Sequence, residues 1–514
     1  MSQYLVKTQD ITKVTAAKNP QEVHPGFYLV EADDLAALTA QVESIEPAHD
    51  EVKLTFQVAP VAGSADFVGL PADHEWARLR VVSRVHPLQT VFNRADCTYV
   101  RTPELFIVDT GVNFSHDEFV GVASTNDFYK VPALSSFRDD LGHGTAVASL
   151  ACGKNIGVEQ SVSLQNVKIA GDGHTTTNLE LGNALFSILK HHADTPTVPK
   201  VVNCSWNVPK SAFFDDIFKA MLSAGICVVA AAGNTGIDVT DTTPAGLVDV
   251  ITVAASDKDD VSAGFNNFSK PDMAITTNAG LTVDIFAPGV DIVVAKYDGN
   301  DHYFSGSGTS FAAPLVTGAA CIIMSMLESV FGSDVRQIMI DTATKGALLL
   351  DASKFTAEQN NLLFLLNTDE AAQFKDLTFF VDTLSVTNPT ISSDVNRVMA
   401  WKNYESVSGE SPAFSIVYPD DATKAALENN ITISNDGTFV ITNPTLTWAA
   451  DENLRLMDFK VAVTFKNVSY TSPKIVFFVV NPAQKADVSG EISSALESMN
   501  AQTLFAAWAS KTLK

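Results

Sequence analysis

The sequence predicts a doubly wound, mostly parallel α/β sheet in the middle of the chain, between a small α+β unit and a β-sandwich. Three observations lead to this order. Continuous apolar runs alternate with helical periodicity in the middle, which is typical of a parallel sheet covered on both faces. Short alternating runs rich in Thr, Val and Phe follow, whereas the start of the chain mixes strand and helix patterns.

A chain of 514 residues is expected to form roughly two to four domains. We assign the α+β unit to residues 1–74, the α/β domain to 75–369, the β-sandwich to 370–485 and a C-terminal helix to 486–514. In the third segment, runs such as AFSIVY and KIVFFVV are separated by turn residues, as in a sandwich. The last segment, with ISSALESMNAQTLFAAW, has a helical pattern.

The composition excludes several classes of partner. A net charge of −25 argues against nucleic acid or an anionic membrane as the main partner. We expect no secretion signal and no transmembrane helix, because no basic start precedes an apolar stretch and no run of about 18 apolar residues occurs. Four of the five cysteines lie in apolar runs, which favours buried thiols and a cytoplasmic or virion-associated protein over a classically secreted one.

Three stretches of the middle domain carry chemistry-bearing side chains at element boundaries. Asp109 ends the buried run LFIVD, His143 opens a small-residue helix in GHGTAVA, and Ser310 begins a helix in SGTSFAAP. A serine hydroxyl becomes a strong nucleophile when a histidine takes its proton and an aspartate orients that histidine. Because the carboxyl ends of parallel strands share one crevice, we expect these three side chains to meet.

A fourth stretch adds an amide at the same kind of boundary. Asn234 follows the buried strand ICVVAAAG, and its side chain could donate a hydrogen bond to a developing oxyanion, together with the backbone N–H of Ser310. Each motif alone also has a purely structural interpretation, such as a turn, a helix cap or tight packing. The order Asp, His, Asn and Ser, each at an element boundary, favours catalysis.

These motifs resemble the subtilisin-like serine proteases, nearest the proteinase K branch. VDTGV, GHGTAVA, AAAGN and SGTSFAAP carry the resemblance, which extends from Trp76 to Asn367. It implies a subtilisin-like fold and a serine endopeptidase with Ser310 as nucleophile, His143 as general base and then acid, Asp109 as the orienting group and Asn234 as oxyanion donor. It requires no cofactor, and the implied partner is a protein or peptide substrate.

The resemblance also implies a substrate cleft between two segments, against which the substrate would lie as an added strand. One is Gly173, His174 and Thr175; the other is Ser205, Trp206 and Asn207, where the family usually has Ser-Leu-Gly. Ala231, Ala232 and Gly233 match the wall of the pocket for the residue before the scissile bond. Trp206 and Asn207 depart from the family pattern, and we expect them to make the rim of the cleft bulkier.

Calcium is a further ligand that the resemblance implies. Asp284 matches one ligand position, and the carbonyls near Val248 and Val250 match others, but one carboxylate makes a weak site. A structural role for Asp284 at a strand end is the alternative.

Two further questions remain open at the level of the sequence. Residues 1–74 stand where the family has its propeptide, and they would be either a removable segment or a permanent domain. The alternative to an active protease is a structural or assembly protein, for example one associated with a virion, whose protease domain is restricted or inactive. In either case the C-terminal sandwich could bind a protein partner.

Overall fold

A four-stranded antiparallel sheet and one short helix form the start of the chain in the computed structural model. Its sheet order is β2-β3-β1-β4. One face packs against α1 through a small apolar cluster that includes Val6, Val30 and Leu38. The elements are β1 (Ser2–Lys7), β2 (Lys18–His24), β3 (Phe27–Ala32), α1 (Leu35–Thr39) and β4 (Ser44–Pro47).

The structure describes most of the first 365 residues and the regular elements of the remainder. The described ranges up to that point are 2–52, 54, 66–71, 74–84, 88, 92, 101–171, 175–262, 264–265, 275–326, 332–350 and 354–365. Two compact units divide the chain, Met1–Leu365 and Leu366–Lys514. The predicted boundary at residue 74 falls inside the first unit and stays a prediction.

The rest of the first unit contains sixteen strands and six α-helices among its described residues. The strands are β5 (Phe67–Val68), β6 (Glu104–Asp109), β7 (Ser124–Lys130), β8 (Ser163–Lys168), β9 (Lys200–Cys204), β10 (Val208–Pro209), β11 (Cys227–Ala231), β12 (Thr242–Thr243), β13 (Ile251–Ser256), β14 (Gly264–Phe265), β15 (Ile275–Thr276), β16 (Ile285–Pro288), β17 (Ile292–Ala295), β18 (His302–Gly306), β19 (Thr344–Lys345) and β20 (Asn361–Leu362). The helices are α2 (Trp76–Val81), α3 (His143–Cys152), α4 (Asn178–Asp194), α5 (Ala212–Ser223), α6 (Thr309–Met326) and α7 (Gly332–Thr342).

The centre of this unit is a nine-stranded sheet in the order β19-β20-β16-β13-β11-β9-β6-β8-β7. All neighbours are parallel except the edge pair β19 and β20. Helices α4 and α5 pack on the sheet face that carries Phe106 and Val108. Helix α6 packs on the other face, against α3 and four central strands. The predicted doubly wound α/β architecture is therefore confirmed for this domain.

Helix α6 runs through the core. By length and composition it could cross a membrane, yet every one of its residues is buried inside the protein. Its first turn lies at the edge of the sheet where β9 and β11 end, because Ser310 exchanges hydrogen bonds with Ser205 and Gly233 donates to Thr309.

The N-terminal sheet lies on α4 and α5. Leu5, Phe27, Ala48 and Val52 belong to the same apolar cluster as residues of both helices. The ring of Phe27 lies 5.1 Å from that of Phe186 in α4 and 5.7 Å from that of Phe213 in α5, measured between centroids. The N-terminal sheet therefore packs against two helices of the α/β domain.

The described residues of the second unit form two sheets and one helix. One sheet has the order β21-β22-β25-β24. The other has the order β23-β26-β28-β29, and its fifth strand, β27, pairs with β26. The packing of these two sheets as a sandwich stays a prediction. The elements are β21 (Leu384–Thr387), β22 (Thr390–Ser393), β23 (Ala413–Val417), α8 (Asp421–Leu427), β24 (Ile431–Ile433), β25 (Phe439–Thr442), β26 (Leu454–Phe465), β27 (Val468–Thr471), β28 (Ile475–Val480) and β29 (Leu504–Ala507).

The predicted C-terminal helix is wrong where the structure describes it. Residues Leu504–Ala507 form strand β29, which pairs in parallel with β28. A four-residue apolar run suits either element, and here the backbone hydrogen bonds of the sheet decide. The rest of segment 486–514 lies outside the described residues.

Candidate active site

Asp109 and His143 form a buried pair. Asp109 is the last residue of β6, and His143 is the first residue of α3. Oδ1 of Asp109 lies 2.8 Å from Nδ1 of His143, and neither side chain is exposed. The carboxylate therefore holds the proton on Nδ1, which makes Nε2 the basic nitrogen of the ring.

Close backbone packing brings these two elements together. A Cβ on Gly144 would lie 2.2 Å from the carbonyl oxygen of Gly111, so only glycine fits at that position of α3. The backbone N–H of Gly144 also donates to the hydroxyl of Thr110 at 2.9 Å. The glycine in GHGT is thus required by contact with the turn that follows Asp109.

Asp139 links the loops on both sides of this pair. Its carboxylate accepts hydrogen bonds from the hydroxyls of Thr110 and Thr145 and from the backbone N–H groups of Leu141, Gly142 and Thr145. Burial raises the pKa of Asp139 above its usual range, while the hydrogen bonds from Gly142, Thr145 and Leu141 act to lower it. The sequence offered no means of ranking this residue above Asp140, its neighbour in RDDLGHGT.

Ser310 lies in the first turn of α6 and is 2% exposed. Its hydroxyl donates to the carbonyl of Ser205 at 2.9 Å, and the hydroxyl of Ser205 donates to the carbonyl of Ser310 at 3.0 Å. The ring of the next residue, Phe311, lies 6.2 Å from that of His143. The structure therefore brings the predicted nucleophile, base and orienting group to one edge of the sheet.

Asn234 is oriented by the same helix start. The backbone N–H of Thr309 donates to Oδ1 of Asn234 at 2.9 Å, so the amide nitrogen faces the other way. A Cβ built on Gly308 would lie 3.5 Å from Asn234 Nδ2 and 3.7 Å from the backbone nitrogen of Ser310. Both N–H donors therefore border the space that this glycine leaves open, which suits an oxyanion.

Asn278 supports the turn that carries Asn234, and sequence reasoning missed it. Its Oδ1 accepts from the N–H groups of Thr235 and Ile237 and from the Thr235 hydroxyl, and its Nδ2 donates to the carbonyl of Ala232. No motif surrounds this residue in TTNAG, so only the contacts across 40 or so residues reveal it.

The predicted cleft segments are described in part. Gly173 and His174 lie outside the described residues, whereas Thr175 is exposed. Ala231 and Ala232 are buried, and Gly233 is half-buried with its N–H donating to the Thr309 hydroxyl at 3.0 Å. The predicted pocket wall, Ala231 to Gly233, therefore reaches the loop that carries Ser310.

The prediction that Trp206 makes the rim of the cleft bulkier is wrong. Trp206 is 1% exposed, and its indole N–H donates to the carbonyl of Val108 at 2.7 Å. Its side chain joins the core under β6 because the large apolar ring and its one donor are both satisfied there. Asn207 is also buried and donates to the carbonyl of Ala231 at 2.7 Å.

The residues around Asp284 do not fit the predicted calcium site. One carboxylate oxygen accepts a hydrogen bond from the guanidinium of Arg336, and the other accepts from the N–H of Thr252. Burial raises the pKa of Asp284 to about 6, although Arg336 acts to lower it. The side chain of Val248 is exposed and that of Val250 is buried. Calcium usually takes about six to eight oxygen ligands, and no acidic cluster lies among the described residues.

Comparison with known proteins agrees with the geometry. The Subtilase family model matches residues 104–362, half of the chain. Subtilisin-like protease 3 of Pseudogymnoascus destructans is 35% identical over 230 residues, which are 43% of this chain and 52% of that protein. The extracellular serine proteinase of Thermus sp. is 31% identical over 272 residues, 52% of this chain and 61% of that protein. Alkaline protease 1 of Aspergillus oryzae is 32% identical over 241 residues, 47% of this chain and 56% of that protein.

The chain thus spans between 52% and 61% of the length of these three relatives. A solved structure of a cold adapted subtilisin-like serine proteinase is 28% identical, with a TM-score of 0.49, and covers 57% of this chain and 98% of its own. The family match confirms the resemblance predicted from the motifs. The chain belongs to the subtilase family.

Proposed function

We propose that this protein is a serine endopeptidase that cleaves peptide bonds through an acyl-enzyme. The observation that carries the proposal is the buried pair of Asp109 and His143 at the same sheet edge as Ser310 and Asn234. These are the groups that a hydrolytic serine nucleophile requires.

In the proposed reaction, Oγ of Ser310 attacks the substrate carbonyl carbon and its proton passes to Nε2 of His143. The hydroxyl points at the carbonyl of Ser205 in the resting protein, so it must first turn toward the imidazole. Asp109 stabilises the imidazolium, which then gives its proton to the leaving amine. Water, deprotonated by the same histidine, hydrolyses the acyl ester and restores Ser310.

The negative charge on the carbonyl oxygen would be stabilised by Asn234 Nδ2 and the Ser310 N–H. Support comes from the Thr309 N–H, which holds Asn234 Oδ1 and so directs Nδ2 to the open side. Donors that are already in place when charge develops contribute more than mobile ones.

We further propose that substrate adds as a strand along segment 173–175 and along Ser205–Asn207. The N–H of Val52 donates to the carbonyl of Thr176 at 2.8 Å, and Glu51 pairs antiparallel with Thr177. The N-terminal unit therefore already pairs with the continuation of the first segment, which supports both a strand-binding edge and a propeptide-like position for residues 1–74.

The test is labelling of the purified full-length chain with a fluorophosphonate, with Ser310→Ala as the control. We expect stoichiometric labelling of the wild type and none of the variant. Asn234→Ala should label about 10²- to 10³-fold more slowly, because one oxyanion donor is lost. A folded wild-type protein that does not label would overturn the proposal, and intact mass would show whether residues 1–74 remain attached to the labelled enzyme.

A further inference from the structure

Two segments meet at the loop of Ser310. Strands β9 and β11 are parallel neighbours, with Ala230 opposite Cys204, and each continues into a segment that contacts this loop. Ser205 exchanges two hydrogen bonds with Ser310, and Gly233 donates to Thr309. The space between the two segments, the crevice, therefore lies beside the nucleophile.

The side chain of Asn207 crosses this crevice. Its Nδ2 donates to the carbonyl of Ala231 at 2.7 Å, and it lies 3.4 Å from the position that a Cβ on Gly233 would take. The acceptor at Ala231 assigns the orientation of the amide, because only the nitrogen can donate. The side chain of Asn207 thus links the segment after β9 to the segment after β11 by a hydrogen bond.

The hydrogen bond from Asn207 to Ala231 satisfies only one end of the Asn207 amide. Oδ1 of Asn207 is buried and accepts no hydrogen bond from the part of the chain that the structure describes. Asn278, in the adjoining turn, uses both ends of its amide. A buried carbonyl without a donor lowers stability, so a glycine, the residue that the family usually has at this position, would avoid that penalty.

The position of Asn207 restricts what can bind. A peptide carbonyl within reach of Ser310 Oγ and Asn234 Nδ2 has its own side chain two bonds away, so that side chain must enter the adjacent crevice. We infer that Asn207 shortens this pocket and makes the enzyme select substrates with a small residue, such as Gly, Ala or Ser, before the scissile bond. The inference rests on the proposed endopeptidase function.

The experiment compares peptide substrates that differ only at that residue, Ala against Phe, with the full-length chain. We expect wild-type kcat/KM to favour Ala by at least about 10-fold, since pocket volume discriminates on this scale. Asn207→Gly should raise the ratio of kcat/KM for the Phe substrate to kcat/KM for the Ala substrate by about 10-fold or more. Asn207→Ala, with an intermediate volume, gives the same test if the glycine variant does not fold.

Asn361→Ala is the matched control, because Asn361 also donates its buried amide to a main-chain carbonyl, that of Asp284. It should keep the wild-type ratio even if it lowers the melting temperature. A wild type that labels with fluorophosphonate but cleaves Phe as well as Ala, or an unchanged ratio in both Asn207 variants, overturns this inference alone. Failure of the wild type to label overturns the proposed function and this inference with it.

Discussion

The carboxylate of Asp139 accepts a hydrogen bond from the Thr110 hydroxyl at 2.9 Å, and this contact joins the turn after Asp109 to the loop before His143. Asp139→Asn would place an amide where all five partners are donors. We expect kcat/KM to fall about 10- to 100-fold, because small displacements of catalytic groups have effects of this size. The measurement is kcat/KM for peptide hydrolysis over a range of pH values.

The neighbouring residue provides the control. The side chain of Asp140 is 44% exposed, and its Oδ1 accepts a hydrogen bond from Nζ of Lys168 at 2.9 Å. Asp140→Asn keeps an oxygen that can accept from Lys168, so activity should stay within a few fold of wild type. Equal losses in the two variants would contradict the positioning role of Asp139.

The second prediction concerns calcium. Because Arg336 already supplies a positive charge to Asp284, excess EDTA should leave the melting temperature unchanged, and added calcium should not raise it. Arg336→Ala should lower the free energy of unfolding by roughly 3 kcal/mol, since it leaves a buried carboxylate unpaired. Arg138→Ala removes an exposed arginine and should change stability by less than about 0.5 kcal/mol. A large loss of stability in EDTA would show that a metal contributes after all.

The third prediction concerns pH and the N-terminal unit. His24 stacks on Phe186 of α4, 5.2 Å between ring centroids, and burial lowers the pKa of His24 although Glu22 acts to raise it. A lowered pKa in the folded state means that the neutral ring is favoured there. The stability that the docked neutral ring contributes is complete above the unfolded pKa of about 6.5. It is lost as the pH falls through the folded pKa.

Lowering the pH from 8 to 5 should therefore weaken docking of the N-terminal unit, seen as faster limited proteolysis within residues 1–52. His24→Phe keeps a stacking ring without the charge and should reduce the difference between the two pH values. His49→Phe, at an exposed position, should keep the wild-type difference. An unchanged pH dependence in His24→Phe would show that another group is responsible.

The fourth prediction concerns the cysteines. Cys152, Cys204, Cys227 and Cys321 are buried, and burial raises the pKa of Cys227 to about 12. Since the thiolate is the reactive form, these four thiols should not react with a disulfide reagent in the native protein at pH 8. Cys97 lies outside the described residues, so Cys97→Ser is the variant to use. It should show no rapid reaction when native and four thiols when unfolded; a rapid native reaction would contradict the burial.

The sequence by itself determined the family, the α/β domain and the candidate catalytic residues. Asp109, His143, Asn234 and Ser310 could be identified because each lies in a local motif at the end of a strand or the start of a helix. Those positions are set by hydrophobic periodicity and by glycine, which act over a few residues. The parallel sheet then brings the ends of its strands to one edge, so their proximity could be predicted too.

Only the tertiary structure decided what surrounds these groups. Trp206 was expected at the rim and is buried on Val108. Asp284 was either a weak calcium ligand or a structural residue, and it is paired with Arg336; Asn207 reaches across to Ala231. Each of these contacts joins residues far apart in the chain through one side-chain hydrogen bond. Such a group finds its partner only when the whole fold brings two distant segments within about 3 Å of each other. A local sequence pattern carries no information about that distance.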